Sequence, residues 1–198
     1  MNLKSLFKIN LNIAGVDEVG RGSLIGPVYA SAVILKKKCD VKKLKDSKKL
    51  SRKKREILNK HIKKNSYWSI ASASKKEIEK LNILNATLLA MQRAVKKLKK
   101  KPKIVLIDGN RIPKMKNYDL KYVIKGDQKV PQISAASIIA KVSRDNLMKK
   151  ISKNFMKYQW IRNCGYATKD HLLAIKKFGI TKHHRKTFKP IYNILISK

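Results

Sequence analysis

Ile13-Ala14-Gly15-Val16-Asp17-Glu18-Val19-Gly20-Arg21-Gly22 is the stretch on which the architecture turns. Its first four residues form a short apolar run with β-branched members and a glycine, the pattern of a buried strand. Two carboxylates close that run and lead straight into Gly20-Arg21-Gly22. In an open α/β sheet, strand ends border the crevice where ligands bind. The same design recurs twice. Ile104 to Ile107 is a continuous apolar run, as expected of a strand covered on both faces, and Asp108-Gly109 follows it directly. Residues 121 to 124 precede Gly126-Asp127 in the same way.

Further elements fill in around these three. Val28 to Leu35 and Tyr67 to Ser72 read as strands. Ser51 to Asn65 begins with an N-cap serine and sets Ile57, Leu58 and Ile62 on one face of a helix. From Asn82 to Lys100, Leu84, Leu88, Met91, Val95 and Leu98 recur at helical spacing until Pro102 stops the pattern. Another long helix is expected to start near Ser134 and include Ile138, Ile139 and Val142, and Thr168 to Phe178 reads as one more. The alternation predicts an α/β fold, a sheet with helices on its faces, in one domain of 198 residues with no internal repeat or long linker.

Composition narrows the partners. Lysine and arginine number 49 against 12 acids, a net charge of +37 that favours polyanions, nucleic acid before an anionic membrane. Only eight of the 49 bases are arginine, so part of the charge reflects lysine-rich composition rather than a binding role. Cys39 and Cys164 lie far apart and form no CxxC pair, which excludes a zinc ribbon or redox motif and suits a reducing cytosol. Lys4, Lys8, Asn10 and Asn12 interrupt the opening apolar stretch, so no secretory leader is expected. No apolar run approaches the roughly 20 residues of a membrane helix. The expectation is a soluble, cytoplasmic protein with no membrane partner.

In so basic a chain the placement of the few acids is informative. Asp17, Glu18, Asp108 and Asp127 all stand at or just after strand ends, where converging carboxylates would repel one another unless a cation neutralised them. Magnesium or manganese suits such oxygen donors. Asp108-Gly109 and Gly126-Asp127 are equally good turn sequences, and spacing alone leaves the metal site and the turn reading level.

The blocks Ala14 to Gly22 with Gly26-Pro27-Val28, Asp46-Ser47-Lys48-Lys49-Leu50, Leu81-Asn82-Ile83 with Met91-Gln92-Arg93-Ala94, Ile107-Asp108-Gly109-Asn110 and Lys125-Gly126-Asp127 together resemble the ribonuclease HII family, bacterial type. The likeness continues through Ser134 to Val142 with Arg144-Asp145, Gly165-Tyr166 and His183-His184-Arg185, so it runs almost end to end. It implies a ribonuclease H-like fold, a five-stranded mixed sheet flanked by helices, with residues from about 150 onward forming a helical part that clamps the substrate duplex. It also implies a metal-dependent endoribonuclease, using magnesium or manganese. Such an enzyme cuts the RNA strand of RNA-DNA hybrids and nicks 5' of single ribonucleotides in duplex DNA. The products carry 3'-hydroxyl and 5'-phosphate ends, and the role is ribonucleotide removal from DNA.

By the same resemblance, Asp17, Glu18, Asp108 and Asp127 form the catalytic, metal-holding quartet. Gly20, Arg21 and Gly22 lie against the ribonucleotide and sense its 2'-hydroxyl, and Tyr166 packs on the next sugar. Lys48, Ser134, Ser137 and Arg185 are expected to contact the substrate as phosphate ligands, although Ser134 also fits a helix N-cap. His183-His184 is expected on backbone or phosphate rather than on metal. The chain departs from the family at Ser23, where proline is usual, a change expected to loosen the turn. A monomer is expected, with no evident tail for a replication clamp. The rival readings are a binding-only architectural protein, separated by metal-dependent cleavage, and a Holliday-junction resolvase, against which Gly20 to Gly22 and Tyr166 stand.

Overall fold

The computed structural model of the chain describes residues 12–44 and 50–197. Lys48 and most of the opening stretch read against a leader lie outside the described residues. Five strands form one sheet: β1 (Ile13–Val19), β2 (Val28–Leu35), β3 (Ser66–Ala73), β4 (Ile104–Asp108) and β5 (Asp119–Val123). Their order is β3-β2-β1-β4-β5, with β1-β2 and β2-β3 antiparallel and β1-β4 and β4-β5 parallel. The mixed five-stranded sheet with flanking helices is the one the family resemblance implies.

Helices α1 (Arg52–Lys64) and α4 (Pro131–Ser152) cover one face, packing Leu58, Ile62, Ala135, Ile138, Ile139 and Val142 against Val33 and Leu35. Helix α2 (Lys75–Lys96) covers the other, burying Ile78, Ala86, Ala90, Met91, Ala94 and Val95 against Ala14, Val16, Val28, Ala30 and Ala32. Side chains alternate across a strand, so Ala14 and Val16 meet α2 while Ile13, Gly15 and Asp17 face α4. Gly15 permits that approach: a methyl group there would stand 2.2 Å from the Gln132 carbonyl carbon. At Gly15 helix α4 thus lies against β1 with no room for a side chain between them.

Short helices α3 (Gly126–Lys129) and α5 (Trp160–Asn163), a 3-10 turn (Met156–Tyr158), α6 (Lys169–Phe178) and α7 (Lys189–Ile196) complete the chain. Those from Met156 onward share a core of Leu24, Ile25, Met148, Tyr158, Trp160, Ile175 and Ile191. The C-terminal part is therefore helical as expected, and it is built onto the segment after Gly22.

Several boundaries differ from the expected ones for physical reasons. Helix α2 begins at Lys75, not Asn82, because Ser74 and Glu77 form a reciprocal capping box. Asn82 interrupts it with φ +65°, and its side chain accepts from the Asn85 N–H at 3.1 Å, restarting the helix where the apolar spacing begins. Helix α4 starts at Pro131, whose fixed φ suits the first helical position, and this removes Ser134 from the cap. Ile57, expected on the buried face of α1, is 62 % exposed. Strand β5 is not covered on both faces: it is the sheet's edge, and Tyr122 stands in solvent.

Candidate active site

Register brings the first two carboxylates together. Val16 pairs with Ile107 across the parallel β1-β4 ladder, so Asp17 and Asp108 occupy the next matched position, on the face toward α4. Asp17, Glu18, Val19 and Asp108 line one wall of an open cavity of about 370 Å³, and Arg55, Ser137, Ile138 and Lys141 complete it. Asp127 enters from the start of α3. The N–H groups of Gly126 and Asp127 donate to Asp108 Oδ1 at 2.6 and 3.4 Å, which ties the third strand end to the second. Asp127 is buried and does not line the cavity.

These carboxylates are held under electrostatic load. Burial, then the neighbouring Glu18 and Asp108, raises the Asp17 carboxyl well above its ordinary range, while the Ser137 hydroxyl and the Glu18 N–H pull the other way. Burial also raises Glu18, opposed by the Arg21 guanidinium, which donates to Glu18 Oε1 at 3.3 Å. Among the described residues no three His, Cys, Asp or Glu side chains already form a closed metal cage. The donor set nevertheless fits a hard divalent cation: oxygen ligands only, partly desolvated, with Glu18 and Asp108 both close enough to repel the Asp17 charge.

Beside the cavity, Gly20, Arg21 and Gly22 form a loop with Arg21 and Gly22 exposed. Gly20 has φ +92° and lies on Arg144, whose Nε would be 2.2 Å from an added Cβ, so only glycine fits. Tyr166 stands against this loop: Ser23 pairs with it as an isolated β-bridge, its ring lies 3.8 Å from where a Gly22 Cβ would be, and the Arg144 guanidinium sits 5.6 Å from the ring centroid. Ser23 does not loosen the turn. It is fully buried, its Oγ donates to the carbonyls of Ile25 and Cys164, and its N–H, which a proline would lack, donates to Gly20 O at 3.4 Å.

Two of the expected phosphate contacts, Ser134 and Arg185, are placed otherwise. Ser137 lines the cavity, where its hydroxyl hydrogen-bonds the Asp17 carboxylate. Ser134 neither caps α4 nor reaches solvent: it is 4 % exposed and donates to Leu44 O at 2.8 Å. Arg185 is 0 % exposed, and its guanidinium donates to Gly26 O at 2.8 Å, Arg21 O at 2.9 Å and Gly20 O at 2.8 Å, leaving nothing directed at a ligand. In both cases the side chain is consumed by backbone carbonyls inside the protein.

The sequence reading also missed a buried histidine pair beneath Tyr166. His184 Nδ1 accepts the Thr181 N–H at 2.8 Å, and His171 Nε2 accepts the Trp160 indole N–H at 2.9 Å. Those two acceptors fix the tautomers. His171 Nδ1–H donates to Tyr166 O at 2.9 Å, and His184 Nε2–H points at His171 Nε2, 3.4 Å away. Burial and the neighbouring His171 push His184 down to about 4. The adjacent His183-His184 in the sequence gave no sign that the partner would be His171, thirteen residues from His184.

A five-stranded mixed sheet with carboxylates gathered at the ends of neighbouring parallel strands defines a nuclease of the ribonuclease H-like class. The family model described as Ribonuclease HII matches residues 14–192, and the chain belongs to that family of nuclease enzymes. The "Ribonuclease HII" of Pelagibacter ubique is 68% identical over 92% of this chain and 98% of its own length. Among solved structures, the ribonuclease HII in a complex with PCNA from Archaeoglobus fulgidus superposes with a TM-score of 0.78 at 26% identity, covering 90% of this chain and 95% of that one. Bst-RNase HIII in complex with Mn2+ shares the fold, with a TM-score of 0.71 at 16% identity over 98% of this chain and 72% of the other.

Proposed function

We propose that the protein is a divalent-metal-dependent endoribonuclease that cuts the RNA strand of RNA-DNA hybrids and nicks duplex DNA 5' of a single embedded ribonucleotide, leaving 3'-hydroxyl and 5'-phosphate ends. The observation that carries this reading is the matched register of Asp17 and Asp108, with the Gly20 to Gly22 loop and Tyr166 beside them. Asp17, Glu18, Asp108 and Asp127 would hold magnesium or manganese, which supplies an activated water and neutralises charge on the phosphate. Glu18 is steadied by Arg21 while the backbone of the loop meets the ribose; glycines at 20 and 22 let that backbone come close. Tyr166 presents its ring to the following sugar, where a 2'-hydroxyl would be unwelcome. Arg55 and Lys141 on the opposite wall, both paired with Asp145, add positive potential along the phosphate path. The helical part from about residue 150 clamps the duplex, and Lys48 contributes a phosphate contact. The enzyme works as a cytoplasmic monomer that removes ribonucleotides from DNA.

The test is cleavage of an end-labelled DNA duplex carrying one ribonucleotide, with magnesium, with manganese and with a chelator. A metal-dependent nick on the 5' side of the ribonucleotide is expected. No cut there or on a long hybrid would leave a binding-only protein.

A further inference from the structure

The fold buries two guanidinium groups away from any direct carboxylate partner among the described residues. Arg144 and Arg185 are both 0 % exposed, and neither forms an ion pair among the described residues. A buried, unpaired charge is costly, so a chain that carries two needs a compensating arrangement. Here that arrangement is a set of backbone carbonyls, four from the segment Gly20 to Gly26 and one from Cys164. Arg144 donates to Cys164 O at 3.0 Å and Ile25 O at 3.4 Å, while Arg185 donates to Gly20 O, Arg21 O and Gly26 O. One guanidinium therefore fastens both ends of the segment from Gly20 to Gly26. The ring of Phe188 lies 4.9 Å from that guanidinium and closes the site from the other side.

A trans peptide points its C=O and its N–H in opposite directions. The Gly20 carbonyl belongs to the same peptide unit as the Arg21 N–H, and the Arg21 carbonyl to the same unit as the Gly22 N–H. Because Arg185 draws both carbonyls inward, both N–H groups are turned outward. Arg21 and Gly22 are exposed, and neither N–H donates to any other backbone group among the described residues. A hydrogen bond accepted at one end of a peptide unit polarises it and strengthens the donor at the other. Two successive outward N–H groups form a concavity suited to an oxygen acceptor.

We propose that Arg185 is a positioning residue for substrate reading: it holds and polarises the Gly20-Arg21 and Arg21-Gly22 peptide units from behind, so that their N–H groups receive the ribonucleotide's oxygen. This rests on the reading above that the loop senses the ribose. The guanidinium fork matters, not its charge alone, because three carbonyls in fixed directions must be met at once.

The experiment uses full-length Arg185→Lys, which keeps the charge and loses the fork. With glycine-selective 15N labelling the metal-free protein gives eight glycine amides. The Gly22 resonance is expected to move upfield while those of Gly109 and Gly179, whose N–H groups donate to Val123 O and Ile175 O rather than to the loop, stay in place. On the single-ribonucleotide duplex kcat/KM is expected to fall about tenfold with duplex Kd nearly unchanged. A folded variant with Gly22 unmoved, or with wild-type kcat/KM on that duplex, overturns the proposal. If Arg185→Lys does not fold, through-hydrogen-bond coupling in the wild-type protein between the Arg185 guanidinium nitrogens and the Gly20 and Arg21 carbonyl carbons decides instead: its presence supports the assignment and its absence refutes it. A wild-type enzyme that makes no cut, with Gly22 still responsive in the variant, would sink the ribonucleotide reading and leave the loop assignment standing.

Discussion

Two polar clusters flank the loop from Gly20 to Gly26, and they are built on opposite terms. On one side Asp17, Glu18 and Asp108 share an open cavity, and burial together with their mutual repulsion raises Asp17 and Glu18. On the other, Arg144, Arg185, His171 and His184 lie sealed in the interior with their donors directed to named acceptors, apart from Arg144 Nε. The first cluster keeps its capacity for a ligand and loses stability by it. The second spends its capacity on the protein itself and so fixes the shape of what stands between them.

The contrast breaks most sharply at the carboxylates. Asp17→Asn or Asp108→Asn should lower cleavage by at least about a hundredfold, as removal of a charge-stabilising group at a reacting centre does. Duplex binding should persist, and the melting temperature of the metal-free protein should stay level or rise because a repelling charge is gone. A fall in stability for both variants would mean that the cluster is structural. Next in size, Tyr166→Ala should cut the preference for a lone ribonucleotide over a long hybrid by about tenfold, the scale set by loss of one positioning contact. An unchanged ratio of the two cleavage rates would remove Tyr166 from substrate reading.

Titration sharpens the same comparison, because the two clusters push stability in opposite directions. His184 is held neutral down to about 4, whereas the unfolded chain protonates near 6.5, so its contribution is complete above 6.5 and is lost as pH falls toward 4. The full loss is on the order of 3 kcal/mol. Asp17 and Glu18 are raised, so between the ordinary carboxyl range and their folded values the native state binds the extra protons, and stability falls as pH rises. Melting curves of metal-free protein from pH 4 to 7 should therefore flatten on the acid side in His184→Gln and lose their opposing slope in Asp17→Asn. The smallest effect is expected for Ser137→Ala. Without that hydroxyl Asp17 should take up its proton at still higher pH, costing a few-fold in activity, about the worth of one hydrogen bond.

The open cluster was legible in the sequence and the sealed one was not. Acids are so few in this chain that Asp17, Glu18, Asp108 and Asp127 are conspicuous at strand ends, and short apolar runs place the strands that carry them. Register, which juxtaposes Asp17 with Asp108, is a property of the assembled sheet. Arg185 and Ser134 were read as phosphate ligands because a basic or hydroxyl side chain in a +37 chain looks like a surface contact. Burial depends on partners that are distant in sequence: Arg185 reaches Gly20 across 165 residues, and Ser134 reaches Leu44 across 90. One signal was available. Where 41 lysines supply charge, an arginine marks a place that needs the planar fork, and Arg21, Arg55, Arg93, Arg144 and Arg185 all make directed hydrogen bonds. The capping boundary of α2 and the exposed edge β5 escaped for a simpler reason, since apolar spacing alone reports neither caps nor neighbours.

The long reach of Arg185 also orders events in time. The sheet, its carboxylates and α4 are complete by Ser152, whereas the guanidinium that fastens Gly20, Arg21 and Gly26 together is missing until residue 185 leaves the ribosome. Contacts that close such a span form late in folding. On the proposed function, a nascent or prematurely ended chain would hold the cutting groups without the gauge that chooses where to cut, and completion of the last few dozen residues would license a selective enzyme.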